Sequence, residues 1–202
     1  MVRACIALKL ADDISFDQDA VYIGADKGAL ILAQQKIPMR YAVGDFDSVS
    51  EQELSLIESF AEETIILPKE KDDIDAEAAM HLAEDLGCET ILLYGAFGGR
   101  IDHSLMNLRL VYKNPGKVLA MDHKNLAFAC TTGHYEIQKK DYRYISVFTE
   151  DEAVITLRNM KYPLEQRRIT SSDTYTSSNE ITGDTGILEV AEGKVLIIQS
   201  KD

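Results

Sequence analysis

Short apolar runs alternate with amphipathic segments of helical period as far as residue 121, and beyond it the helical period disappears. No other feature constrains the fold as tightly. Strands separated by helices build parallel βαβ crossovers, whereas short strands separated by turns build antiparallel sheets. In the first stretch, strands are expected over 2–10, 20–23, 41–43, 64–67, 90–94 and 117–121. Helices are expected over 25–35, 50–60, 73–86 and 102–112. Ala29, Leu30, Leu32 and Ala33 recur at helical spacing, as do Ala76, Ala79, Met80 and Ala83. Ser50 followed by Glu53 reads as a capping box, while Gly87 and Asn114-Pro115-Gly116 read as stops. After 121 the candidates are short strands over 126–130, 135–137, 142–148, 153–157, 186–190 and 194–199, with turns at Thr132-Gly133 and Glu192-Gly193. The fold class expected is α/β: a mostly parallel, Rossmann-like sheet flanked by helices over 1–121, followed by an all-β sandwich or barrel over 122–202.

Charge separates the same two halves. Residues 1–120 carry 11 Lys+Arg against 21 Asp+Glu, a net of −10 out of the chain's −13. That balance offers no global footprint for nucleic acid or an anionic membrane. Cys5, Cys88 and Cys130 are odd in number and widely spaced, which suits buried small hydrophobes in a reducing cytoplasm better than disulfides or a zinc site. The apolar run 4–8 is too short for a signal peptide, and no stretch is long enough to cross a membrane as a helix.

In parallel sheets, ligands gather outside the C-terminal ends of the strands. Here those positions carry Asp26 and Lys27, then Asp45 and Asp47, then Asp72 and Asp75, then Gly98, Gly99, Arg100, Asp102 and His103. Carboxylates brought around one crevice repel unless a cation neutralises them. Mg²⁺ does so with oxygen ligands and leaves room for phosphates. In an extended segment, Asp45 and Asp47 would share one side. Gly98-Gly99 lets backbone amides approach an anion, and Arg100 adds a planar two-pronged donor. Lys27 is either a phosphate contact or a surface residue. His103 is either a general base or an ordinary helix-start residue. Asn107, one turn further on, faces the same way and suits ligand orientation. No GxxxxGK[ST] or GxGxxG occurs, so neither a P-loop nor a dinucleotide fingerprint is present.

Taken together, residues 22–50 with GDFDS, 69–80 with KEKDDIDAEAAM, 94–109 with GGRIDHSLMN and 159–180 with NMKYPL and SSNE resemble the bacterial thiamin pyrophosphokinases. The resemblance implies a catalytic α/β domain binding ATP and Mg²⁺, a thiamin-binding β-sandwich, and a cytoplasmic homodimer with active sites at the subunit interface. It implies transfer of the diphosphoryl group of ATP to thiamin, giving thiamin diphosphate and AMP. Asp47, Asp72 and Asp75 match metal-holding acids, with Asp45 beside them. Arg100 matches a phosphate-neutralising residue. Asp102 matches either the acceptor of the thiamin hydroxyl proton or the anchor of a second metal–water cluster. Ser178 and Asn179 match the pair expected near thiamin. Tyr162 stands where the animal enzymes have Trp and offers the thiazolium an aromatic face, unless it packs in the sandwich. The chain departs from the pattern at Ile74, where Thr is usual, and along Lys9-Leu10-Ala11-Asp12-Asp13, where a Gly-Gly turn is usual. Two other readings are a different Mg²⁺-dependent, nucleotide-using transferase and a non-catalytic thiamin or nucleotide sensor.

Overall fold

The computed structural model describes residues 2–68 and 74–202. Its first unit comprises residues 1–110 and 117–123; its second comprises 111–116 and 124–202. The first unit holds six strands: β1 (Arg3–Ala7), β2 (Ala20–Ala25), β3 (Met39–Gly44), β4 (Ala61–Ile66), β5 (Thr90–Tyr94) and β6 (Val118–Met121). They lie in the order β4-β3-β2-β1-β5-β6, and every pairing among them is parallel. Helices α1 (Lys27–Gln34), α2 (Glu51–Phe60), α3 (Asp75–Asp85) and α4 (Ile101–Lys113) fall between strands as the periodicity predicts. Ile6, Ile23, Ile91 and Leu93 on the central strands are fully buried. Each contributes about 1.5–3 kcal/mol relative to an exposed side chain. The capping box at Ser50 forms: its Oγ accepts from Glu53 N, and its own N donates to Glu53 Oε2 at 2.8 Å.

Two local differences from the sequence expectation bear on function. β1 stops at Ala7 rather than running to residue 10, because the chain turns there: Ala11 N donates to Leu8 O, and Leu8 N donates to Tyr94 O, both at 2.9 Å. β3 ends at Gly44, and Phe46 adopts a left-handed φ of 51°. The GDFDS segment is therefore not extended.

The second unit is antiparallel. β7 (Asn125–Cys130) and β9 (Tyr144–Phe148) flank β13 (Val195–Ser200). β8 (Gly133–Gln138), β10 (Glu152–Arg158), β11 (Leu164–Thr170) and β12 (Thr185–Gly193) form a second sheet in the order β11-β10-β12-β8. Ile145, Val147 and Ile197 from the first set pack with Ile155, Leu157 and Leu188 from the other in one core. That is a sandwich. β11 went unread in the sequence because five of its seven residues are exposed and most are polar or charged. Among the described residues it pairs only with β10, and charge on such an edge discourages further pairing. All three cysteines are free and buried. Burial pushes the Cys5 thiol up to about 11 and the Cys130 thiol up to about 12, so neither is a thiolate at neutral pH. No helix among the described residues is long and apolar enough to cross a membrane.

Candidate active site

The strand order runs outward from β1 through β2, β3 and β4, then resumes at β5 on the other side of β1. A reversal of this kind leaves a crevice at the C-terminal ends of the two strands. A cavity of about 640 Å³ lies there. Its walls come from the residues following β1, β2, β3 and β5, from the first turn of α3 and from the first two turns of α4. The close approach needed to assemble it falls on glycine. A Cβ on Gly28 would sit 1.9 Å from Ala7 O, and one on Gly95, which has φ of 71°, would sit 2.0 Å from Ala11 N.

Asp26 sits immediately before α1 with φ 50° and ψ −121°, outside the regions an L-residue ordinarily occupies. The conformation is imposed from both sides. Its N donates to Val43 O at 2.8 Å, and its carbonyl accepts from Ala29 N at 3.0 Å. The side chain lines the cavity, and its Oδ1 is buried with no hydrogen-bond partner. Burial is the main cause that raises its pKa; the Lys27 amide, next in size, opposes it, and the nearby charges of Asp75, Asp45 and Asp47 raise it further. A strained backbone that presents an unsatisfied buried carboxylate oxygen is built for something cationic. An oxygen-only set of donors suits a hard cation such as Mg²⁺.

Asp45 and Asp75 line the same cavity. Asp47 does not. The turn at Phe46 carries it to the exposed surface, where its N donates to Asp45 Oδ1 at 3.1 Å. Asp47 is still close enough to act on Asp26 electrostatically. Asp72 lies outside the described residues. Among the described residues no three His, Cys, Asp or Glu side chains converge tightly enough to hold a metal unaided. Ile74 lines the cavity and, as the sequence anticipates, brings no hydroxyl.

The β5–α4 loop supplies the other wall. Gly98 and Gly99 have φ of 100° and 59°. Arg100 reaches back to Asp102 with Nε to Oδ1 at 3.1 Å and Nη2 to Oδ2 at 2.5 Å. That contact holds the Asp102 carboxyl below the usual carboxylate range. Arg100 and His103 line the cavity, whereas Asp102 lies on the surface beside them. Asn107 is buried, with its Nδ2 donating to Ala96 O at 2.7 Å, so it fixes the loop from below. Lys27 is not on the cavity wall; its charge is felt by Glu53 instead. Sequence reasoning passed over Ser104, whose Oγ accepts from Gly98 N at 3.2 Å. It also passed over the apolar lining of Leu8, Leu10 and Met106. Met106 could have been found, since it lies three residues from His103 and so on the same helix face.

In the second unit, Tyr162 is not packed in the sandwich; it is 58% exposed. The residue that holds it is Asn179, which is buried. Asn179 Oδ1 accepts from Tyr162 N and Glu180 N, both at 2.9 Å, while its Nδ2 donates to Tyr162 O at 2.8 Å. Ser178, at φ 56°, exposes its side chain while its N donates to Ser146 Oγ. Lys161 Nζ stands 5.6 Å from the Tyr162 ring centroid and is tied to Glu180 at 2.8 Å.

Comparison with known proteins adds an independent line. Residues 14–121 match the family model described as thiamin pyrophosphokinase, catalytic domain. Residues 134–195 match the model described as thiamin pyrophosphokinase, vitamin B1 binding domain. The chain is 36% identical over 192 residues to the thiamine pyrophosphokinase of Bacillus subtilis, covering 92% of this chain and 90% of that one. A crystal structure of the Bacillus subtilis enzyme superposes with a TM-score of 0.89 over the full length of both chains, at 32% identity. A thiamin pyrophosphokinase family protein from Enterococcus faecalis gives 0.86 at 29% identity, covering 100% of this chain and 99% of its own. The thiamin pyrophosphokinase of Candida albicans, at 19% identity, shares the fold with a TM-score of 0.80, over 99% of this chain and 89% of its own. Two domain models matched in chain order, and a relative more than 30% identical along nearly the whole length, show that this chain belongs to the thiamin pyrophosphokinase family.

Proposed function

We propose that the cavity at the β1–β5 switch binds ATP with Mg²⁺, and that the chain transfers the diphosphoryl group of ATP to thiamin. The thiamin hydroxyl oxygen attacks the β-phosphorus, and the bond from that phosphorus to the oxygen bridging to the α-phosphate breaks. AMP leaves with that oxygen, and the hydroxyl proton passes to an acceptor. The observation that carries the reading is the buried Asp26 oxygen without a partner, facing a cavity shared with Asp45 and Asp75. Catalysis of this kind rests on positioning and charge neutralisation.

Asp26, Asp45 and Asp75 would hold the Mg²⁺ together with the phosphate oxygens of the nucleotide, with Asp47 beside them. The bound ion would neutralise phosphate charge. Arg100 meets phosphate oxygens, oriented by the two-point grip of Asp102. A carboxylate engaged at both oxygens and held below its usual pKa is a poor base, which favours orientation as the part Asp102 plays. His103 stands on the cavity wall as a proton acceptor. In the second unit the Tyr162 ring, held by Asn179, offers the cationic thiazolium an aromatic face, and Ser178 contributes a polar contact to thiamin. The protein works as a homodimer with active sites at the subunit interface. The 85% exposed Ile101, one turn from Leu105 on α4, gives a second copy an apolar surface to cover. Three buried free cysteines fit a reducing cytoplasm.

Incubation with thiamin, ATP and Mg²⁺ followed by product analysis tests the reading. Thiamin diphosphate and AMP are expected in equal amounts. ADP as the nucleotide product would overturn diphosphoryl transfer, and no thiamin-dependent product would overturn the assignment altogether.

A further inference from the structure

The cavity that takes ATP on the reading above is walled by three carboxylates, Asp26, Asp45 and Asp75, against two permanent cations, Lys9 and Arg100. Arg100 is already gripped by Asp102 at two points. Lys9 makes no ion pair among the described residues. It follows β1 in the segment Lys9-Leu10-Ala11-Asp12-Asp13, where the chain departs from the family's Gly-Gly turn and so loses the glycine backbone as a means of meeting phosphate.

The turn that carries Lys9 is fixed at both ends. Leu8 N is bonded to Tyr94 O, and Ala11 N to Leu8 O. The backbone at Ala11 packs so closely on Gly95 that no side chain fits there. The next residue, Leu10, places its Cδ1 3.4 Å from where a Cβ would stand on either Gly98 or Gly99. Leu10 therefore covers the glycine turn, and Lys9 is held on the same cavity wall. One Mg²⁺ would not balance three carboxylates, so a polyphosphate entering the cavity needs more positive charge than an arginine already paired with an aspartate supplies.

We propose that Lys9 is a phosphate-binding residue of this chain, its Nζ donating to the polyphosphate of the nucleotide. An ammonium on a flexible stem follows a phosphate chain without demanding one geometry. The side chain contributes affinity for the anion and none for thiamin.

The test compares wild type, K9M and K9R on two readouts: the KM values for ATP and thiamin at saturating Mg²⁺, and direct calorimetric binding of inorganic tripolyphosphate. One charge-assisted hydrogen bond corresponds to about tenfold in affinity. K9M is expected to raise the KM for ATP and the Kd for tripolyphosphate by about that factor, with the KM for thiamin and the thermal midpoint unchanged. K9R is expected to recover most of the loss, and K9M to flatten the dependence of tripolyphosphate binding on salt. Tripolyphosphate and ATP binding in K9M equal to wild type overturns the proposal, as does K9R performing no better than K9M. The binding readout does not depend on the reaction. If wild type makes no thiamin diphosphate while K9M still loses tripolyphosphate affinity, the reaction assignment fails and Lys9 stands as an anion-binding residue.

Discussion

The cavity of the first unit and the Tyr162–Asn179 turn of the second handle polar groups in opposite ways. In the cavity, Asp26 holds a strained backbone and a buried oxygen with no partner. At the turn, the buried Asn179 side chain has both its oxygen and its nitrogen bonded to backbone. The charges follow suit. In the second unit Arg143, Arg158, Lys161 and Arg168 each pair with a glutamate. The excess acid of the chain sits in the first half, net −10 out of −13. A site that must attract a metal and phosphates keeps its electrostatic demand unmet until the ligand arrives. A surface that must present one aromatic ring at a fixed angle settles its hydrogen bonds internally.

The strongest way to break that contrast is D26N. Replacing the carboxylate removes the group that attracts the cation, and turnover is expected to fall about 10²–10³-fold. The same change should stabilise the metal-free protein. Burial, followed by the charges of Asp75, Asp45 and Asp47, raises the Asp26 pKa above its ordinary value. Folding therefore favours the protonated form. Stability is lost as pH climbs from the ordinary carboxylate range through the raised value. D26N should have a thermal midpoint about 2–4 °C higher than wild type at pH 7, with the gap closing below the ordinary carboxylate pKa. A variant that is both less active and less stable at pH 7 would remove Asp26 from the cation site and make it a structural residue.

The Arg100–Asp102 pair sharpens the contrast from the other side, because here a charged pair lies on the cavity rim. R100M is expected to lower kcat/KM for ATP about 100-fold with no change in thermal midpoint, since both partners are exposed. D102N should cost less than R100M and leave the acid limb of the kcat–pH profile in place. Loss of that limb in D102N would show that Asp102 takes the proton.

At the turn, N179A leaves Tyr162 N and Glu180 N without their acceptor and is expected to destabilise the protein by about 1–3 kcal/mol. The KM for thiamin should rise about tenfold while the KM for ATP holds, because the change reaches substrate only through Tyr162. An equal rise in both KM values would mean that Asn179 does not act through Tyr162.

How far the sequence could be read depended on whether a residue's role rests on its neighbours along the chain or across the fold. The helices, the capping box at Ser50 and the parallel sheet were legible because periodicity and spacing are local. So was the gathering of Asp26, Asp45, Asp75, Gly98, Gly99, Arg100, His103 and Asn107, since strand ends in a parallel sheet converge. The turn at Phe46, which separates Asp47 from Asp45, was not legible; a left-handed Phe has no sequence signature. Lys27 read as either a phosphate contact or a surface residue and Lys9 drew no reading of its own, and only the fold puts Lys9 on the cavity wall and Lys27 off it. β11 was hidden by its own charges. Asn179 was assigned to substrate through its match to the family's SSNE motif, while its partners in the fold, Tyr162 and Met160, lie 17 and 19 residues away.

The smallest effect is expected where the first unit does what the second does throughout. Glu84 on α3 accepts from Lys117 Nζ at 2.7 Å, with both side chains about one-third exposed. The Lys117 hydrogen bond is the main cause that lowers the Glu84 pKa, against some opposition from burial. A depressed carboxylate pKa stabilises the fold above the unfolded value, and that contribution is lost as pH falls through the folded one. E84Q should therefore cost less than about 1 kcal/mol at pH 7 in low salt, and its deficit should shrink as pH falls below the ordinary glutamate range and vanish at molar salt. Thermal midpoints of wild type and E84Q across that pH and salt range decide the matter. A deficit that persists at low pH would mean that Glu84 acts by packing its stem, and the ordinary ion pairs of this molecule would then say little about how it distributes charge. A deficit that disappears would leave Asp26 as the carboxylate of the first unit whose effect runs the opposite way, destabilising the fold as pH rises.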